Sequence, residues 1–134
     1  MVLLAAVSAA ACGEASLRVG LVACGADQPF GALAGGLLEV TVMQSGAEAG
    51  RVREPFDGTE VTLPAVPRRG SFRVVVLGYD AQGSISAAGA VDVQELPGRG
   101  DSCCIASGFC SRALYDGGGC TCGSGVCTDT CDSP

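Results

Sequence analysis

The chain has no His, no Lys, no Asn and no Trp. Without His there is no Ser-His-Asp or Cys-His nucleophile, no imidazole metal ligand and no side chain ordinarily poised to exchange protons near neutral pH. Without Lys there is no Schiff-base chemistry, and without Asn there is no N-glycosylation sequon. Positive charge is scarce: the eight basic residues are all Arg, the net charge is -6 and the sequence pI is near 4.4. A phosphate-binding surface needs clustered cations to release counterions, so nucleic acid is excluded as a partner. No apolar run reaches the roughly 20 residues that a membrane-spanning helix requires. Carboxylates are the remaining acid-base groups, but Asp116, Asp129 and Asp132 have no spacing that fixes an acid/base pair. No catalytic residue is assigned, and a non-enzyme is expected.

What the chain does have is cysteine: nine in 134 residues, a density that reducing cytosol does not favour. The length suits one domain plus a small appendage. The N-terminus adds to the case for export. Val2 to Ala11 is an uncharged apolar run closing on Ala9-Ala10-Ala11, directly before Cys12-Gly13-Glu14. A short apolar stretch ending in small residues has the form of a secretory h-region and its cleavage site.

With a Cys placed immediately after it, this segment resembles the lipobox of bacterial lipoproteins, in which the Cys becomes the acylated first residue of the mature chain. The resemblance implies a signal peptide at residues 1–11, a lipidated tether at 12–15 with the lipid on Cys12, and the membrane as partner through that anchor. The implied location is the cell envelope, outer membrane or periplasm, with secretion as the alternative. Leu21-Val22-Ala23-Cys24 is a second lipobox-like stretch. Glu14 and Arg18 precede it, and each charge inside an h-region opposes insertion by about 2.5–3.5 kcal/mol. Cysteine parity separates the two: a lipid on Cys12 leaves an even number of Cys able to pair, whereas a lipid on Cys24 leaves an odd number.

From residue 16 to residue 93 the apolar pattern has period two. Leu17, Val19 and Leu21 share a face, as do Leu38, Val40 and Val42, then Val61 and Leu63, then Phe72, Val74 and Val76, and finally Ile85, Ala87, Val91 and Val93. Turn chemistry separates these runs at Gln28-Pro29-Phe30-Gly31, Ser45-Gly46, Phe56-Asp57-Gly58, Pro67-Arg68-Arg69-Gly70 and Asp80-Ala81-Gln82-Gly83. The expected fold class is all-β, a small antiparallel β-sandwich. The stretch from Leu63-Pro64-Ala65-Val66-Pro67 to Gly78-Tyr79-Asp80 resembles the last strands of immunoglobulin-like or transthyretin-like modules in surface lipoproteins of high-GC Gram-negative bacteria. That resemblance implies a spacer or binding module. Arg51, Arg53, Glu54, Arg68 and Arg69 read as solvated loop charges with no site.

Residues 94–102 read as a linker, and residues 103–134 as an irregular, disulfide-stapled tail. Ile105, Phe109, Leu114, Tyr115 and Val126 are too few for a core of their own, so cross-links must order the segment. The expected disulfide cysteines are Cys24, Cys103, Cys104, Cys110, Cys120, Cys122, Cys127 and Cys131, each bond contributing about 2–4 kcal/mol. The tail itself holds an odd number, so either one Cys there is free or intermolecular, or Cys24 reaches across to it. Cys103 and Cys104 should take different partners, because a vicinal bridge strains the peptide between them. Connectivity beyond this is open.

Three alternatives attach to the tail. Cys110-x9-Cys120-x-Cys122-x8-Cys131 resembles half of an EGF-like module, which implies a small extracellular interaction knot. Arg99-Gly100-Asp101 matches the integrin-binding sequence and implies adhesion. Thiolates at Cys-x-Cys spacing can hold Zn or Cu(I), the pattern of a thiol-based metal-binding or redox protein. A structural zinc site would more often pair two Cys-x2-Cys motifs and none is present, so no metal and no cofactor are expected. The leading expectation is a non-enzymatic, lipid-anchored surface or periplasmic protein, structural or binding, whose protein or carbohydrate ligand is unassigned. A longer parent chain, continuing past Pro134, remains open.

Overall fold

The computed structural model describes residues 14–67, 69–94 and 102–128. The strands are β1 (Glu14–Ala23), β2 (Leu37–Gln44), β3 (Ala47–Pro55), β4 (Glu60–Pro67), β5 (Phe72–Tyr79), β6 (Ile85–Val93), β7 (Ser102–Ser111) and β8 (Gly123–Thr128). One 3-10 turn, Gly31–Leu33, and one short helix, α1 (Arg112–Asp116), interrupt them. Among the described residues no helix is long and apolar enough to cross a membrane.

All strands belong to one eight-stranded sheet in the order β3-β2-β5-β6-β7-β1-β4, with β8 added alongside β7. The fold is all-β, and the alternating runs of the sequence are its strands. Leu17 and Val19 of β1, Val40 and Val42 of β2 and Val74 and Val76 of β5 are all at 0% exposure, while most of the residues alternating with them are partly or fully exposed. Burying each such side chain contributes about 1.5–3 kcal/mol. Turn chemistry sets the register. Ser45 and Gly46 both have positive φ (53° and 79°), the pair of left-handed residues that joins β2 to β3 without splaying the strands. Between β5 and β6, the Asp80 carboxylate accepts hydrogen bonds from the amides of Gln82 (3.0 Å) and Ser84 (2.9 Å).

β7 decides the tertiary arrangement. It runs parallel to β1 from Ser16↔Ser102 to Ala23↔Phe109. It meets β6 only at Ala87↔Ser111 and Ala88↔Cys110. The sheet therefore folds over at β7, and both wings cover one core in which Cys103, Ile105 and Phe109 sit among the valines and leucines of β1, β2, β4 and β5. Leu33, delivered by the 3-10 turn, closes one end of this core at 0% exposure. Phe30 stacks there on Phe109 (5.6 Å between centroids) and on Phe56 (6.2 Å).

Two expectations need correction. The segment from Cys103 is not a separate irregular tail, and 103 is not a domain boundary: Ser102–Ser111 is an interior strand flanked by β1, β6 and β8. Its apolar residues are too few for a core of their own but complete a shared one. Nor are Arg51, Arg53 and Glu54 loop residues; they lie on β3, an edge strand whose exposed charges discourage edge-to-edge pairing. The remainder of the expected linker, residues 95–101 with Arg99-Gly100-Asp101, lies outside the described residues, as do Arg68 and the expected signal segment.

Candidate functional site

Two features lie at the same end of the sheet. β1 runs from Glu14 to Ala23 with β7 parallel to it and β6 antiparallel to β7, so the ends of β1 and β7, the start of β6 and the end of β5 are gathered opposite Glu14.

The first feature is a knot of four cysteines. β1 delivers Cys24 (7% exposed) and β7 delivers Cys110 (0%) to the margin of the core. After α1 the chain reverses through Gly117, Gly118 and Gly119, whose amides donate to the carbonyls of Ala113 (3.1 Å), Tyr115 (3.1 Å) and Leu114 (3.0 Å). This reversal returns Cys120 and Cys122 to the strand ends. Cys24 is joined to Cys122 with Cα atoms 5.6 Å apart, and Cys110 to Cys120 with Cα atoms 5.8 Å apart. The two bonds are neighbours: Cys24 Sγ and Cys120 Sγ lie 3.8 Å from each other. Asp27 clamps the arrangement, its carboxylate accepting from the Ser111 amide (2.6 Å) and hydroxyl (2.9 Å) at the start of α1.

A third bond, Cys103–Cys127, ties β7 to β8. Cys104 is disulfide-bonded as well, and Cys12 and Cys131 lie outside the described residues. Cys24, the alternative acylation point, is bonded to Cys122, and the residues before it form strand β1. In the segment given the EGF-like alternative, Cys110 belongs to β7 and Cys122 is bonded to Cys24, so its cross-links are not confined to it.

The second feature is an open cleft of about 630 Å³ whose lining includes Gly36, Arg53, Glu54, Tyr79 and Asp80. Glu39, only 9% exposed, anchors its wall by pairing with Arg53 Nε (3.3 Å) and Arg51 (3.5 Å). A second contact holds the Arg53 guanidinium 6.0 Å from the centre of the Tyr79 ring. Sequence reasoning missed this cleft. Its residues come from β3, β5 and the segment before β2, and the local signal available was Gly78-Tyr79-Asp80 at a turn. The cleft offers an aromatic ring, a cation and carboxylates within one concavity, which is the chemistry of a polar ligand site.

Comparison of the chain with protein-family models, with curated proteins and with solved structures finds no match.

Proposed function

We propose that the protein is an exported, non-enzymatic module of the cell envelope, lipid-anchored through Cys12, with the end of its sheet opposite Glu14 presented to a protein or carbohydrate ligand. One observation carries the reading: every one of the seven cysteines among the described residues is disulfide-bonded. Such a set persists on the oxidising side of a membrane and is reduced in cytosol. Drawing Cys24 into the fold leaves Cys12 as the lipobox-like cysteine, and removing Cys12 leaves an even number that can pair throughout.

The geometry also fits an anchored role. Cys12 precedes β1, which begins at Glu14, by two residues, a reach of about 7 Å. A lipid there would hold the sheet close to the bilayer and turn the cleft at Tyr79 and Arg53 outward. Mass spectrometry of protein extracted from membranes tests the proposal. The expected mature chain begins at an acylated Cys12, and Cys12→Ala moves the protein to the soluble fraction. An intact Met1 or free thiols in the native protein would overturn it.

A further inference from the structure

We propose that Cys24, Cys110, Cys120 and Cys122 are also a latent metal site: once their two disulfides are reduced, the four thiolates bind one thiophilic cation of the zinc type. The fold, not sequence spacing, makes this set. Cys24 comes from the end of β1, Cys110 from the end of β7, and Cys120 and Cys122 from the return after α1. Among the described residues, Cys24, Cys110 and Cys120 are the one group of three or more candidate ligands that converges, with all three sulfurs within 4.8 Å of one another. Cys122, bonded to Cys24 in the oxidised form, is the fourth donor.

The spacing suits the ion. A tetrahedral site with metal–sulfur bonds of about 2.3 Å has ligand sulfurs about 3.8 Å apart. Cys24 Sγ and Cys120 Sγ, which belong to different disulfides, already lie 3.8 Å apart. Reduction then has to let the sulfurs within each pair separate to about the same distance, and Cys122, which lies outside the converging group of three, has to swing toward Cys110 and Cys120. The Val22 carbonyl oxygen, 3.6 Å from Cys122 Sγ, and the Ala88 carbonyl oxygen, 3.9 Å from Cys120 Sγ, offer the released thiols acceptors. Access is open on one side, where a concavity of about 570 Å³ is lined by Cys24, Asp27, Leu114, Thr121 and Cys122.

The chemistry balances with a dithiol reductant. Each disulfide gains two electrons and two protons as a dithiol is oxidised to its own disulfide. The thiols lose their protons to solvent as metal–sulfur bonds form, so uptake is coupled to pH and to redox state. Soft thiolates select zinc-like or cuprous ions over magnesium and calcium.

The site does not depend on a lipid at Cys12, and its test has a separate readout. The full chain, and a form carrying Cys103→Ser, Cys104→Ser, Cys127→Ser and Cys131→Ser, are reduced anaerobically with a phosphine and titrated with Co²⁺, followed by Zn²⁺. The expected result is one Co²⁺ per chain with the absorption of a tetrahedral thiolate complex, displaced by Zn²⁺, and no such signal from oxidised protein. Adding Cys24→Ser and Cys120→Ser lowers affinity more than about 100-fold, beyond what loss of an outer-shell partner costs. Far-UV circular dichroism follows the sheet in the same samples. The proposal is overturned by an octahedral spectrum, by uptake that survives Cys24→Ser and Cys120→Ser, or by no uptake at all, including by a reduced chain that has lost its β signal.

Discussion

Gly89 of β6 lies directly against the carbonyl oxygen of Gly108 in β7, so close that a Cβ at position 89 would collide with it. The two glycines let the strands approach where the sheet folds over. Gly89→Ala is expected to destabilise the protein by about 1–3 kcal/mol, the usual cost of overpacking. Gly31→Ala, whose Cβ would meet nothing within 4 Å, should change stability by less than about 0.5 kcal/mol. Urea unfolding of both variants checks the contrast.

The Cys24–Cys122 and Cys110–Cys120 bonds are neighbours in space but close very different loops, with sequence separations of 98 and 10. Chain entropy alone assigns about 4.7 kcal/mol to a loop near the first length and just under about 3 kcal/mol to one near the second. Replacing Cys24 and Cys122 by Ala should therefore lower stability by about 1–2 kcal/mol more than replacing Cys110 and Cys120. Equal losses in denaturant titrations would show that packing around the sulfurs outweighs loop closure.

Peptide mapping of the unreduced protein gives a separate check on Cys12. Cys104 is disulfide-bonded, and its partner is not among the three bonds described above. With a lipid on Cys12, the expected linked peptide joins Cys104 to Cys131. A Cys12–Cys104 peptide would instead remove the attachment point.

Asp27 joins the segment after β1 to the start of α1 through its two hydrogen bonds to Ser111. Both bonds end on a partly buried carboxylate, a class worth about 1.5–3 kcal/mol each at most. Asp27→Ala is expected to lower stability by about 1–2 kcal/mol in thermal unfolding. It should also speed reduction of Cys110–Cys120 by a water-soluble phosphine, because the reversal after α1 loses its clamp.

Arg73 and Asp92 face each other across β5 and β6, with Arg73 Nε donating to Asp92 Oδ1 at 2.9 Å. That hydrogen bond, reinforced by the opposite charge, holds the Asp92 carboxyl below the usual carboxylate range and raises the Arg73 pKa further above neutrality. A depressed carboxyl contributes stability above its unfolded pKa of about 3.9 and loses it as pH falls through the lower folded value. Both side chains are more than half exposed (56% and 69%), so screening limits the pair to less than about 1 kcal/mol. Asp92→Asn should cost a few tenths of a kcal/mol by these same rules at neutral pH, with the difference vanishing in acid. Unfolding midpoints across pH 2–7 measure it.

Alternation by itself determined the strands that bury one clean face. Leu17 and Val19, Val40 and Val42, and Val74 and Val76 announce β1, β2 and β5 because side chains on a strand alternate between two environments. The cysteine count likewise determined that cross-links hold the chain, and the odd number from Cys103 onward pointed toward Cys24. Tertiary structure alone decided the rest. β3 was illegible because an edge strand presents charges outward and only Val52 packs against the core from its centre. β7 was illegible because Cys103, Ile105 and Phe109 are insufficient for an independent core and have meaning only inside one built by distant strands. The partner of Cys24 follows from the parallel pairing of β1 with β7, a contact between segments more than 80 positions apart, together with the reversal after α1 that returns Cys122 to the strand ends. Such a contact is set by burial of a common core, which no local pattern encodes.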